Sequence, residues 1–276
     1  MAISVHTNRS ALTALQNLNK TNDDLGEVQN RINTGLRISS AKDNAAIWSI
    51  AQGQRADIGA LSAVKMSLQR ASSIAEVSMT AGESISDLLV QLKEKVVAAM
   101  DTTLDASSRT ALDSDFKSIL KQIKQVYQNA QFDGANMLNG SVTPSVRFLA
   151  NAEANAHITL TAQNMSLGGS IISIAATASL STVSLASVVL VRLNSSITNV
   201  NQALGSMGSQ AKQIEAHLSF VGKLTDVLES GVGSLVDADL AKESARLQAL
   251  QVQQQLGAQA LSIANQSPQV ILQLFK

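Results

Sequence analysis

Apolar residues recur at helical spacing along most of this chain. In the first segment Ala11, Leu15, Leu18, Asn22, Leu25, Gln29, Ile32 and Leu36 fall at alternating steps of four and three. That is a heptad seam with polar breaks at Asn22 and Gln29. Gly35 is placed to cap it. The stretch NTGLRISSAKDNAAIW, residues 33–48, then interrupts the pattern. Ser40 and Asp43 have the spacing of a capping box, so a second helix is predicted to start there. Its inward positions are Ile47, Ile50, Ile58, Leu61, Leu68, Ala75, Met79, Leu89, Leu92 and Val96, and no proline intervenes before Thr103. Such a helix of ~59 residues is ~88 Å long, several times the globular mean.

A third helix is predicted over residues 108–130, with Leu112, Phe116, Ile119, Ile123 and Val126 inward. Turns at Asp133-Gly134 and Asn139-Gly140 close it. Residues 141–175 change character: SVRFLA, AHITLTA and SLGGSIISIA are short, β-branched and turn-bounded, which reads as a small β region. Helical spacing returns near Thr182 and runs through Leu185, Val189, Leu193, Val200, Leu204, Met207, Ala211, Ile214, Leu218, Val221 and Leu228. SGVGSLVDADL interrupts it, and a final helix is expected over residues 238–265.

That final helix has two apolar faces. One carries Leu240, Leu247, Leu250, Leu261 and Ala264; the other carries Ala245, Ala249, Val252, Leu256, Ala260 and Ile263. A helix that is apolar on both sides is buried on both sides. A terminal partner helix covers one face, and the chain has no spare helix for the other. The expected cover is another copy of the chain.

The plan is nearly palindromic: helix, break, long helices, β insert, long helix, break, helix. The fold class expected is mainly α, a long antiparallel coiled-coil bundle with a small β-hairpin region. The terminal helices, 1–40 and 236–276, pair as one module, and 41–235 forms the other. Gly35, Ser40, Asp43, Gly231 and Gly233 mark the linkers between them.

Composition narrows the function. Aromatic residues are 3% of the chain and prolines number two, so burial rests on many small aliphatic contacts between long helices. Formal net charge is zero, which leaves no basic excess for nucleic acid. No cysteine occurs, which excludes disulfides, thiolate catalysis and Cys-based metal sites. His6, His157 and His217 are scattered, with no metal-ligand spacing, and no nucleotide or nucleophile motif occurs. Gly231-Val-Gly233 reads as a linker, and Asp237 and Asp239 as charge at a helix N-terminus. No enzyme, cofactor or metal is expected. The 21-residue run at 171–191 has the length of a membrane span. Seven of its residues are Ser or Thr, and no aromatic or basic belt flanks both ends, so a strand leading into a packed helix is expected instead. The start of the chain lacks the charged and apolar regions of a cleavable signal.

Two motifs at opposite ends carry a resemblance. INTGLRISSAKDNAAIWSIA, from Ile32, resembles the amino-terminal signature of bacterial flagellins, and LVDADLAKESARLQALQVQQQLGAQALSIANQ, from Leu235, resembles their carboxy-terminal signature. QNAQFDGANMLNG is similar to the segment that closes their third helix. The likeness covers nearly the whole chain, is weakest over 141–187, and points to the short alphaproteobacterial type without large outer domains.

The resemblance implies a secreted, extracellular subunit of the flagellar filament. Such subunits are exported unfolded by the flagellar type III apparatus, bound beforehand by a chaperone at the carboxy-terminal helix. They polymerise under a cap protein with their own kind, with flagellin paralogues, and against hook-associated junction proteins. The terminal helices form the inner tube, which assigns Leu15, Leu18, Leu25, Ile32, Leu240, Leu247, Leu250, Val252, Leu256, Leu261 and Ile263 to assembly. It also implies that β-region Ser and Thr residues are candidates for O-glycosylation. A patch that vertebrate innate receptors recognise on many flagellins aligns with Gln91, Lys95 and Asp115. Two of these positions differ from the family pattern, which implies weak receptor activation. Pro268 falls where relatives continue helically, and is expected to end the last helix or start a final turn. Two rival readings are a flagellin-like hook–filament junction protein and a chemoreceptor-type helical hairpin. The latter needs a membrane tether and no β insert.

Overall fold

A computed structural model describes the backbone of residues 7–274 and the side chains of residues 7–266. The elements run in the order α1 (Arg9–Thr34), α2 (Ala45–Ala99), α3 (Ala106–Asn129), β1 (Ser145–Leu149), β2 (His157–Thr161), α4 (Val183–Val236) and α5 (Leu240–Leu274). The chain forms two compact units. One is built from the two chain ends, up to Ala56 and from Val227 on; the other spans Asp57–Asp226. The division falls inside α2 and α4. The first turns of α2 and the last turns of α4 bury Ala51, Val232 and Val236 within the terminal unit.

The central unit has a continuous apolar core. Leu89, Leu92 and Val96 of α2 meet Phe116, Ile119 and Ile123 of α3 and Val189, Leu193 and Val200 of α4. These are largely the positions that the helical spacing turned inward. Gly82 of α2 packs on α4: a Cβ there would sit 2.7 Å from Leu204 Cδ2. Each helix start is capped by a side chain that accepts an otherwise unpaired amide. Asp105 Oδ1 accepts from Ser108 N (2.8 Å) at α3, and Thr182 Oγ1 accepts from Leu185 N (3.2 Å) at α4. Beyond α3 the buried Asn136 donates to Tyr127 O (2.8 Å) and accepts from Leu138 N (2.8 Å), tying the α3 terminus to the turns that follow.

The β region is smaller than 141–175. It is one antiparallel hairpin, with Ser145 opposite Thr161 and Leu149 opposite His157. Phe148, Ile158 and Leu160 point into the unit. The hairpin is also bonded to the helices: Leu149 N donates to Ser67 Oγ (3.2 Å), and Thr161 N to Gln210 Oε1 (2.8 Å). His217 Nε2 lies 2.7 Å from Ala150 O. Residues 162–182 are irregular loop and turns, with one isolated bridge between Leu167 and Ile172. Asp113 of α3 anchors their far end, accepting from Leu180 N (2.6 Å) and Ser179 Oγ (2.8 Å) and pairing with Lys117 Nζ (2.6 Å). Burial pushes the Asp113 carboxyl up, but these bonds outweigh it and hold it below the usual carboxylate range.

The apolar run at 171–191 is accordingly split: its first half lies in the turns, and α4 begins only at Val183. By length and composition alone α4 contains a stretch long and apolar enough to cross a membrane. Its Val189, Leu193 and Val200 are buried in the core.

Candidate functional site

The terminal unit pairs α1 with α5 along their length. Both seams keep the heptad rhythm. On α1 the covered positions are Ala11, Ala14, Leu18, Thr21, Leu25, Val28 and Ile32; on α5 they are Glu243, Leu247, Leu250, Gln254, Gly257, Leu261 and Ala264. Leu18 packs on Gly257, where an added Cβ would meet Leu18 Cδ1 at 3.3 Å. Polar crossings mark the same antiparallel register. Asn8 Nδ2 donates to Ala264 O (2.7 Å), Gln254 Nε2 to Asn22 Oδ1 (2.8 Å), and Arg31 Nη1 to Glu243 Oε1 (3.3 Å). Arg31 also pairs with Glu27 one turn before it. Glu243 is buried, and its second carboxylate oxygen has no partner.

The α1 seam is rotated from the expected one. Leu15, Asn22 and Gln29 turn outward, Leu15 being 43% exposed. Ala14, Thr21 and Val28 take their places. Leu18, Leu25 and Ile32 face α5. On α5, Leu247, Leu250 and Leu261 face α1, while Leu240 at the helix start is half exposed. The other expected face lies open to solvent: Val252 is 55% exposed, Leu256 62% and Ile263 64%. Leu12 and Leu15 give α1 an exposed apolar edge of its own. A shallow groove lined by Ser10, Thr13, Ala14, Leu256, Gly257 and Ala260 runs along the pair.

The two breaks are bonded to each other. Gly35 ends α1 in the left-handed region, φ 71°, a conformation without penalty only for glycine. The chain then turns so that Leu36 bridges Asp237. Arg37 N donates to Val236 O (2.7 Å), and Ala238 N to Gly35 O (2.9 Å). The Arg37 side chain reaches Leu235 O (2.8 Å). A cation thus sits on the free carbonyls that end α4. Sequence spacing missed Arg37, since nothing local shows that a carbonyl two hundred residues away needs a donor.

Three expected details change, two in the linkers and one in α5. The Ser40–Asp43 pair forms its own turn: Asp43 Oδ2 accepts from Ser40 N (2.9 Å), Ser39 N (2.9 Å) and Ser39 Oγ (3.0 Å). The Ser40 and Ser39 amides hold the Asp43 carboxyl below its usual range. Helix α2 starts at Ala45, with Asn44 Oδ1 accepting from Ile47 N (3.1 Å) as its cap. Gly231 and Gly233 lie inside α4, so the second break is only residues 237–239. Adjacent helical hydrogen bonds hold isolated glycines in helix at a cost of about 1 kcal/mol each. Asp239 caps α5, accepting from Ala241 N and Lys242 N at 3.1 Å. Finally, α5 continues through Pro268 to Leu274; Asn8, which caps α1, donates to the Ala264 carbonyl that the proline leaves free.

In the central unit Gln91, Lys95 and Asp115 lie on α2 and α3. Lys95 Nζ is 3.3 Å from Asp115 Oδ2, and both are at least partly exposed. Among the described residues no group of three or more His, Asp or Glu side chains is placed to hold a metal ion.

Comparison with known proteins agrees with this layout. The model of the bacterial flagellin N-terminal helical region matches residues 5–143, and that of the C-terminal helical region matches residues 190–275. Flagellin FljJ of Caulobacter vibrioides is 56% identical, the alignment covering 100% of this chain and 99% of the relative. A flagellin of Brucella melitensis is 41% identical, with 99% of each chain covered. Among solved structures, Bacillus cereus flagellin superposes with a TM-score of 0.50 at 21% identity, covering 56% of this chain and 88% of that one. A putative flagellar hook-associated protein from Vibrio parahaemolyticus gives 0.55 at 13%, covering 71% and 100%; at such identities the likeness is one of fold. With paired terminal helices, a long-helix core and full-length relatives of the same size, the chain belongs to the bacterial flagellin family, in its short form without large outer domains.

Proposed function

We propose that this flagellin polymerises by burying the second face of α5, and the Leu12–Leu15 edge of α1, against the terminal helices of neighbouring copies. The chain is a structural subunit of the helical filament that drives bacterial swimming. The observation that carries the mechanism is the exposure of Val252, Leu256 and Ile263 on a helix already packed on its opposite side. Three large apolar side chains in a row on a long helix lose favourable burial of about 1.5–3 kcal/mol each while they face water. Terminal helices from successive subunits then line an inner tube. The bonded breaks at Leu36 and Asp237 carry the chain from that tube to the long-helix shell.

Secretion follows the family route: unfolded export through the flagellar apparatus, with a chaperone shielding the same α5 face beforehand. The filament is extracellular, and flagellin paralogues, the cap protein and hook-associated junction proteins are its neighbours. Chain length and nearly full-length identity to flagellins support the filament subunit over a junction protein. Purified chain added to filament seeds should elongate into long filaments in electron micrographs. Short, non-elongating oligomers would favour the junction reading.

A second proposal concerns Lys95 and Asp115. Their pairing neutralises the acid of the patch, and Gln91 contributes no charge. A receptor reporter assay should show activation well below that of flagellins with the usual residues. Full activation at ordinary doses overturns it.

A further inference from the structure

We propose that Asn8 is a positioning residue for assembly: its side-chain amide replaces the hydrogen bond that Pro268 removes from α5, and thereby sets the register of α1 against α5. The role rests on the filament reading above. Proline has no N–H, so within α5 the carbonyl four residues earlier, Ala264 O, has lost its helical donor. Asn8 Nδ2 lies 2.7 Å from this oxygen. The other atom of the same amide, Oδ1, accepts from Ala11 N at 3.1 Å and caps α1. One side chain therefore starts the first helix and repairs the last.

The geometry distinguishes this contact from the other crossings. Heptad seams of small and aliphatic residues tolerate slips of seven residues. The Asn22–Gln254 and Arg31–Glu243 pairs join flexible side chains. Ala264 O is different, because Pro268 is the only proline in α5. Its position is unique in the helix, so a slipped α1 moves Asn8 off the one interior carbonyl that lacks a donor. An unpaired polar group costs more than a made bond gains, which penalises the slip.

The test is a double-mutant cycle. Asn8→Asp keeps the capping oxygen and removes the amide donor; Asn8→Ser keeps a capping hydroxyl, adds no charge and cannot reach. Each is made in the natural chain and in the Pro268→Ala chain, where residue 268 again donates to Ala264. The readout is the critical concentration for seeded polymerisation. Both Asn8 variants should raise it about tenfold with Pro268 present, and less than about twofold in the Pro268→Ala background. An equal rise in both backgrounds, or none in either, overturns the proposal. If the natural chain itself does not polymerise, the filament reading falls instead. The cycle is then read by hydrogen exchange in α1. Protection lost with Asn8→Asp and regained on adding Pro268→Ala supports the clasp; protection not regained overturns it.

Discussion

The central and terminal units are built from the same material, long Ala-, Ser- and Leu-rich helices, yet they bury it differently. In the central unit α2, α3, α4 and the hairpin surround one another, and Leu89, Phe116, Ile123, Leu160 and Leu193 are fully covered. In the terminal unit α1 has one buried residue, Val28. On α5 only Glu243 and Leu250 are buried among the described side chains. The lesson is that one unit covers its apolar side chains within the subunit, whereas the other leaves an apolar face open, the face that the proposed assembly buries. A two-helix seam leaves each helix with an uncovered side, and a helix apolar all round needs further partners.

The strongest way to break this contrast is a charge on the open face. Leu256→Glu should abolish seeded filament growth, because an unpaired charge in a buried contact costs about 3–5 kcal/mol. Thermal unfolding of the central unit should be unchanged, since Leu256 belongs to the terminal unit. Leu247→Glu, on the face toward α1, should do the same by splitting the terminal pair. Filament yield unchanged in electron micrographs would end the assembly model. In the opposite direction, Phe116→Ala should leave the open face intact but destabilise the central unit by about 3–5 kcal/mol in urea unfolding of the monomer. A fall in filament growth without a stability loss would contradict the division.

A subtler comparison uses acid. The Asp113 carboxyl is held below its ordinary 3.8 in the folded central unit. Its contribution is therefore fully present above that value, and is lost as pH falls through the lower folded value. Asp113→Asn should reduce central-unit stability at neutral pH by about 1–3 kcal/mol and flatten the acid limb of its stability profile. A steeper acid limb would reverse the sign of the argument. Smallest is Asn44→Ala, which removes the α2 cap and should cost about 1 kcal/mol, measurable as faster hydrogen exchange in the first turn of α2. Protease digestion adds a qualitative check. Residues 7–34 and 240–274 should be cut readily in the monomer and protected in the filament, because local opening is cheapest where burial is thinnest.

Much of this was legible without coordinates. Long proline-free apolar periodicity marks α2 and α4, turn dipeptides mark the end of α3, and the double face of the last helix already calls for a partner. The helix starts were less legible. Ser40 and Asp43 have capping-box spacing, but Asn44, four residues on, holds the cap, because several nearby side chains can accept the same amides. The α1 seam was off by a residue at alternate positions, since large and small apolar residues both fit a heptad and only the partner's shape decides between them. Pro268 read as a stop because the donor that compensates for it comes from the other end of the chain.

The sequence by itself determined the periodic elements, the lack of cysteine and the excess apolar face, because these depend on residue type and local spacing. Tertiary structure decided how the elements pair: Arg37 on the end of α4, Leu36 beside Asp237, and Asn8 on Ala264. Each such contact joins residues some two hundred or more positions apart. Hydrogen-bond partners at that separation leave no periodic trace, so the meeting of the two breaks described at the start became visible only when the chain ends were folded together.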